Sequence, residues 1–365
     1  MFNLHAVQAQ FGDSLILEYG TPANRRFTLV DGGPPDTFNN DLAAALKSIV
    51  KSSKLDAVIV SHVDNDHIIG ILDLLAVLEQ DLANGGPARI DIGGVWHNSF
   101  QKSLDPDGEI TQRLQNLMSI ASAANVAMPL AADEFFGIRE GNRLRILAKK
   151  LKLPLNKGFQ NDLVMVETAP QPTKFGKLTL RVVGPNQDNL NNLRDEWLAW
   201  LAKVEKKTND PAMLANSDDS IPNLSSIVVL AECDGKTILL TGDARSDHTL
   251  KGLEHAGLLT NGKLHVDVLK VPHHGSDRNV TATFFKKVTA DTYVISANGK
   301  NNNPDYPTLK WIVEAASSAG RQIKIVVTNA TASTKKIKQT HKPADYGYEL
   351  IVKPKTDHSI VVKLS

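Results

Sequence analysis

Four side chains able to ligate a metal fall within the six residues His62-Val63-Asp64-Asn65-Asp66-His67. Imidazoles mixed with carboxylates suit zinc, manganese or iron, whereas calcium prefers all-oxygen cages. The plain competing reading is a polar turn with fortuitous histidines. Three further segments carry residues of the same kind. They are Phe27-Thr28-Leu29-Val30-Asp31, Ile238-Leu239-Leu240-Thr241-Gly242-Asp243 and Val268-Leu269-Lys270-Val271-Pro272-His273-His274-Gly275-Ser276. Alone, Asp243 reads as a turn residue after a strand, and one of the paired histidines as a satisfier of backbone groups. Together they describe a metal site. A divalent metal with an open position lowers the pKa of bound water from ~15.7 to about 7, and two metals ~3.5–4 Å apart hold both the attacking and the leaving oxygen of a phosphodiester.

Each segment has one form: an apolar run, then ligand-type residues, then small residues that let the backbone turn tightly. Residues 56–61 read as a buried strand and 68–82 as a helix. Residues 15–19 and 26–30 read as neighbouring strands joined by a turn at Gly20-Thr21-Pro22. Residues 42–50 read as a helix with Asn40 or Asp41 as its cap. From about 98 to 222 the texture becomes helical, with helices at 110–124, 144–151 and 190–206 and a strand pair near 163–167 and 178–183. We read this stretch as an insertion rather than a separately folding domain. After Ser225 the strand-and-helix rhythm returns. Residues 226–231 and 237–240 form a hairpin about Asp234-Gly235. Strands follow at 266–271, 292–296 and 323–327, with a helix at 307–319. Parallel sheets gather their chemistry at strand carboxyl ends, so ends from both halves of the chain are expected to build one site.

The bulk numbers bound the reading. The chain has 365 residues, 42% of them hydrophobic, which permits a sizeable core. Lys+Arg is 41 and Asp+Glu is 40, a formal net charge of +1, which argues against a histone-like grip on nucleic acid but not against a local basic strip. The basic runs Lys149-Lys150-Leu151-Lys152 and Lys335-Lys336-Ile337-Lys338 read as solvated faces. The single cysteine, Cys233, excludes an internal disulfide and reads as strand filler. The N-terminus lacks a secretory pattern and no apolar run approaches ~20 residues, so the expectation is a cytoplasmic chain without a membrane span. Trp197 and Trp200 read as packing residues, and among the unassigned histidines His97, after the apolar run 90–96, is the one to watch.

The sequence resembles the metallo-β-lactamase superfamily, and within it the hydrolase-like domain of ComEC-type DNA-uptake competence proteins and their free-standing relatives. The matching pieces are Gln10-Phe11-Gly12-Asp13-Ser14, Leu29-Val30-Asp31-Gly32-Gly33, Ser61 to His67, Leu239 to Asp243 and Leu269 to Ser276. They occur in the family's order and cover residues 10–70 and 225–310. The resemblance implies an α/β (α+β) fold, a four-layer αββα sandwich, here with a mainly helical insertion at about 98–222. It implies one or two divalent ions, zinc or manganese. His62 and Asp64 would face the first metal, Asp66 and His67 the second, and Asp243 would bridge. His273, which leaves its strand first, is favoured over His274 as the further ligand; Asp66 and His274 are the candidates for proton transfer. Asp31, Asp13 and Ser276 would orient the ligands from behind. The implied activity is metal-dependent hydrolysis, with a nucleic acid or a small phosphodiester as substrate. The alternatives are a small ester, amide, lactone or cyclic nucleotide, or a metal-stabilised scaffold or sensor.

Three departures from the family pattern stand out. Asp64 occupies the place of a usual histidine, a change the ComEC-type members share. The histidine usually found upstream of the bridging aspartate is missing from Pro222-Asn223-Leu224-Ser225, and a later Gly-His-Pro becomes Asp305-Tyr306-Pro307. The first metal position is therefore expected to be loose, to favour a harder metal such as manganese, or to be empty.

Overall fold

The computed structural model describes residues 1–123, 129–206 and 225–364. Six strands make the first sheet: β1 (Phe2–Val7), β2 (Leu15–Thr21), β3 (Asn24–Val30), β5 (Ala57–Ile59), β7 (Val95–Trp96) and β16 (Ser359–Lys363). Their order is β16-β1-β2-β3-β5-β7. Eight make the second: β8 (Thr173–Phe175), β9 (Leu178–Gly184), β10 (Val228–Cys233), β11 (Lys236–Leu240), β12 (Leu264–Lys270), β13 (Val288–Ile295), β14 (Ile323–Val327) and β15 (Tyr348–Val352), in the order β15 to β8. A short parallel pair, β4 (Lys54–Leu55) and β6 (Asp91–Ile92), stands apart. The helices used below are α1 (Ala43–Ile49), α2 (Asn65–Ala83), α3 (Phe100–Ser103), α4 (Glu109–Ala123), α5 (Pro129–Lys150), α6 (Gln187–Glu205), α7 (Ser246–His255), α8 (Ala282–Lys287), α9 (Tyr306–Ser318) and α10 (Ala332–Thr340).

Side-chain alternation along the strands turns these two sheets into four layers. On β2, Leu15, Leu17 and Tyr19 point into a core shared with Leu180, Val229, Ile238 and Val268 of the second sheet. The intervening Ile16 points the other way, to a core with Leu42 before α1 and Ile68, Ile71 and Leu75 of α2. Leu269, Tyr293 and Ile325 of the second sheet face outward to Leu253 of α7, Phe284 of α8, Ile312 of α9 and Ile337 of α10. Helix, sheet, sheet, helix is the expected αββα sandwich. Truncating a fully buried residue of the inter-sheet core, such as Leu17, would cost about 2–5 kcal/mol.

The described part of the stretch 98–222 joins this sandwich: β8 and β9 extend the second sheet beside β10, while α3, α4 and α6 close a satellite core. Trp197 and Trp200 pack there, edge to face with each other at 5.8 Å, and Trp197 likewise meets Phe100 at 5.2 Å. The strand expected at 163–167 does not form. The Asn98 side chain accepts from Val164 N at 2.7 Å and donates to Val164 O at 2.7 Å, so a side chain satisfies the groups a strand partner would have taken. Nor do Asn40 and Asp41 cap α1. They lie inside a wider helical turn, Phe38–Leu42, that runs into it, and the Asp41 carboxylate accepts from His358 Nδ1 at 2.9 Å. No helix among the described residues is long and apolar enough to cross a membrane.

Candidate metal centre

Strands β3, β5 and β7 run parallel, and so do β11, β12 and β13, so each sheet presents a row of carboxyl ends along one edge. The two edges meet: Ile227 N donates to Ser61 O at 2.8 Å, and Ser296 Oγ donates to Gly12 O at 2.6 Å. After β5 the chain turns once through His62 and Asp64 and enters α2 at Asn65, three residues earlier than the periodicity implied. Asp66 and His67 thus sit in a helix's first turn. Two glycines allow the close approach: a Cβ at Gly12 would come 1.9 Å from Asp66 O, and one at Gly70 would come 1.9 Å from Gly32 O. Asp13 N donates to Asp66 O at 3.2 Å, and Gly32 N to His67 O at 2.7 Å.

After β12 the chain does something rare. His273 (φ 47°) and His274 (φ 55°) are consecutive left-handed residues, followed by Gly275 at φ 83°. Each non-glycine residue held there costs on the order of 1–3 kcal/mol, and such strain persists only where surrounding contacts over-determine it. Here His273 N donates to Gly242 O at 3.1 Å, and Ser276 N donates to His273 O at 2.8 Å. The turn sets the two imidazoles at 73° to each other, their centroids 5.8 Å apart, and both reach Asp243 Oδ2, at 3.6 and 3.5 Å. The His274 side chain is buried, while that of His273 is 39% exposed.

One tight group results. His67 Nε2 lies 3.3 Å from Asp243 Oδ1, 3.3 Å from His274 Nε2 and 3.9 Å from Asp66 Oδ1. His274 Nε2 lies 3.3 Å from Asp66 Oδ2 and 3.5 Å from Asp243 Oδ2. His62 Nε2, wholly buried, lies 3.3 Å from Asp64 Oδ2 and 3.7 Å from Asp243 Oδ2. His273 reaches only Asp243, at 3.6 Å. Asp13, His67, Asp243 and His274 each offer a ligand atom within 4.8 Å of the others, and so do His62, Asp66 and His67.

The back of each ring fixes which nitrogen faces the group. His67 Nδ1–H donates to Asp31 Oδ2 at 2.9 Å, and Asp31 also accepts from Ser61 N and Ser61 Oγ, both at 2.7 Å. His274 Nδ1–H donates to Ser296 O at 3.0 Å. His62 Nδ1–H donates to Ser61 Oγ at 3.0 Å. In the neutral ring all three Nε2 atoms are thereby left facing inward with lone pairs.

Burial alone would raise the carboxyls and lower the imidazoles. It pushes the Asp243 carboxyl up, yet His67, His274 and His273 outweigh it and hold that carboxyl well below its usual range. Burial and the Asp243 charge push the Asp66 carboxyl up, and His67 and His274 more than reverse this. Burial pushes His67 and His274 down, but Asp243 leads the surrounding carboxylates in raising both well above 6.5. Burial and the His67 charge lower His62, and Asp64 and Asp243 more than reverse this. Imidazoles that gain protons only because carboxylates surround them are imidazoles from which a divalent cation can displace those protons. The residues fit such a cation. The Nε2 atoms of His67 and His274 lie 3.3 Å apart, and buried His62 Nε2 and Asp243 Oδ1 have no hydrogen-bond partner among the described residues.

Of the residues singled out in the sequence, His62, Asp64, Asp66, His67 and Asp243 converge, with Asp31 behind His67. Geometry reverses the preference between the paired histidines: His274 is inside the group, and His273 stands at its wall. Asp13 lies behind His274, its Oδ1 3.4 Å from Nδ1. The Ser276 hydroxyl accepts from Arg278 N at 3.4 Å within the turn. Asn223 lies outside the described residues. Ser226 brings its hydroxyl to 3.3 Å from His62 Nδ1 and accepts from Asp243 N at 3.2 Å. Asp305 stands before α9 and accepts from Asp277 N at 3.0 Å. His97 takes no part in the group. Asn156 brackets its backbone at 2.8 and 2.7 Å, and burial drives its pKa down to about 3.

Lys270 was missed. It is fully buried, and its Nζ lies 2.6 Å from Asp13 Oδ2 and 3.0 Å from Val271 O. Burial pushes the Asp13 carboxyl up, but Lys270 and then His274 pull it far below the ordinary range. Strand alternation carried the signal: Lys270 shares a face with Val268, which points between the sheets.

No family model matches the chain. A stretch of 93 residues is 34% identical to ComE operon protein 3 of Bacillus subtilis (strain 168), covering 26% of this chain and 11% of that protein. Among solved structures, the metallo-beta-lactamase fold protein YhfI from Bacillus subtilis is similar at 11% identity and a TM-score of 0.42, covering 99% of each chain. A diphosphatase from the PhnP family is similar at 10% identity and a TM-score of 0.39, covering 100% of this chain and 98% of that one. The layer order described above is the four-layer αββα arrangement that the motif resemblance implies.

Proposed function

We propose that this chain is a metal-dependent hydrolase whose substrate is a phosphodiester. The observation that carries the reading is the convergence of the Nε2 atoms of His62, His67 and His274 on the Asp243 carboxylate, at 3.3–3.7 Å. His62, Asp64 and Asp243 would hold one cation; Asp66, His67, His274 and Asp243 would hold the other. When bound, such a cation supplies Lewis acidity and an activated water at neutral pH. Asp31 holds His67 in the required tautomer. Asp13, itself pinned by Lys270, and Ser296 O do the same for His274.

Charge balance supports two ions over one. Asp13 and Lys270 cancel. Asp31, Asp64, Asp66 and Asp243 then leave four negative charges among neutral imidazoles, which two divalent cations offset. Imidazole and carboxylate donors together suit zinc or manganese. Two cations sharing one carboxylate suit an in-line displacement at phosphorus, and the motif resemblance to ComEC-type domains adds weight to nucleic acid as substrate.

The test loads the full chain with manganese or zinc and follows cleavage of bis(p-nitrophenyl) phosphate and of a single-stranded oligonucleotide, with Asp243→Asn as control. Turnover in the wild type that the variant loses by about a hundredfold or more is expected. Two equivalents of bound metal with no cleavage of either substrate would overturn the reading.

A further inference from the structure

A cavity of about 500 Å³ opens on the outer side of His273, between the start of α7 and the chain that leads from the His-His-Gly turn into α8. Arg245, Ser246, His273, Arg278, Asn279 and Thr281 contribute to its wall. It is continuous with the candidate metal centre through shared residues. His273 Nε2 lies 3.6 Å from Asp243 Oδ2, and Asn279 Nδ2 donates to Asp243 O at 3.1 Å. Ser246 N donates to Asn279 O at 2.8 Å, tying the helix start to the same floor.

The two arginines are not equivalent. Arg245 is neutralised by Asp247 through contacts of 3.1 and 2.8 Å. Arg278 is exposed, and its side chain makes no hydrogen bond or ion pair among the described residues. Burial and the neighbouring Asp305 carboxylate push the Asp277 carboxyl up, and the Arg278 charge beside it pulls only part of the way back. His273 forms the wall between this cavity and Asp243. The cavity, which Asp247 also lines beside Arg245, therefore offers one guanidinium without a hydrogen-bonded partner among the described residues beside the candidate metal centre, in a volume that suits a nucleotide-sized group rather than a lone ion.

We propose that this cavity is the subsite for a second anionic group of the substrate, with Arg278 as the residue that selects it. The inference rests on the phosphodiester reading and sharpens it: the preferred substrate carries a phosphate one nucleotide away from the scissile linkage, as an oligonucleotide does and a small neutral ester does not. A guanidinium matches a phosphate bidentately, and such a charge-assisted contact is worth roughly tenfold to a hundredfold in selectivity.

The experiment has two arms on the metal-loaded full chain. In the first, the p-nitrophenyl ester of thymidine 5′-phosphate is compared with the same ester bearing a 3′-phosphate. The wild type is expected to favour the bis-anionic substrate by about tenfold or more in kcat/KM, chiefly through KM. Arg278→Ala is expected to abolish most of that ratio and Arg278→Lys to retain part of it. In the second, binding of thymidine 3′,5′-bisphosphate and of thymidine 5′-phosphate is measured by calorimetry, and Arg278→Ala should weaken only the first. No preference in the wild type, or a preference that Arg278→Ala leaves intact, overturns the subsite. Absence of turnover on both esters would instead overturn the function proposed above, and the binding arm would still decide the subsite.

Discussion

The sharpest consequence of the geometry concerns two adjacent histidines. Consider His274→Ala and His273→Ala made separately in the full chain. His274 Nε2 sits within 3.5 Å of Asp66, His67 and Asp243, so its loss removes one of four donors from a cation position. Four-donor zinc sites bind with about 10–16 kcal/mol, or about 2.5–4 kcal/mol per donor, so the dissociation constant should rise roughly 10²–10³-fold. His273 touches only Asp243, at 3.6 Å, and is 39% exposed. A contact of that kind is worth about 1 kcal/mol or less, a change of roughly fivefold at most. Alanine keeps the same left-handed backbone preference problem as histidine, so neither variant is relieved of strain that the other retains.

The assay is a chelator-competition titration with zinc and with manganese near neutral pH, together with elemental analysis after gel filtration and a melting curve of the metal-free protein. The melting curve separates lost ligation from lost folding. Equal weakening by the two variants would refute the reasoning, as would a larger effect at His273, because either result means the turn presents its rings differently from the geometry described here.

Three further perturbations read other parts of the construction. Asp31→Asn would set an amide donor against donors from Ser61 and His67 and should weaken metal binding about 10–100-fold in the same titration; a change below threefold would mean that the His67 tautomer is held by something else. His97 titrates at about 3 when folded against 6.5 when free, so the unfolded chain binds the proton more readily and stability falls as pH drops below the unfolded value; from pH 7 to pH 5 this amounts to about 2 kcal/mol, and His97→Asn should flatten that limb of a urea-unfolding series by the same amount. Lys270→Met strands a buried carboxylate and should cost about 3–5 kcal/mol in urea unfolding, with Asp13→Asn added to it restoring part of the loss; strictly additive losses would show that the two side chains do not act as a pair.

How much of this was legible in the chain depends on the range of the interaction that decides each feature. The convergence of the His62 to His67 cluster with the strand ends was legible because an apolar run followed by ligand-type residues and a small residue is a local pattern, written within ten positions. The strand at 163–167 was misread because its competitor, the Asn98 side chain, lies some sixty-six residues away in sequence. The start of α2 was placed too late because Asp64, Asn65 and Asp66 look like a polar loop, and only the helix itself shows them to be its cap and first turn.

The choice between His273 and His274 illustrates the general case. Reasoning from the end of β12 assumes that an extended chain delivers its first side chain to the site, and for ordinary backbone that assumption is sound. Here two successive residues hold positive φ, and what makes them do so is tertiary: Gly242 O accepts from His273 N, and Asp305 N donates to Gly275 O at 3.0 Å. Both anchors come from other elements, so no local pattern encodes the reversal. Lys270 is the opposite case. A lysine on the inward face of a central strand violates the apolar rule for that face, and a buried ammonium requires a buried carboxylate. Asp13, already quoted from the Gln10 to Ser14 piece, was the partner to look for. A broken pattern at a strand end is therefore as informative as a kept one, because the residue that breaks it must find its counter-charge, and that counter-charge stands directly behind His274.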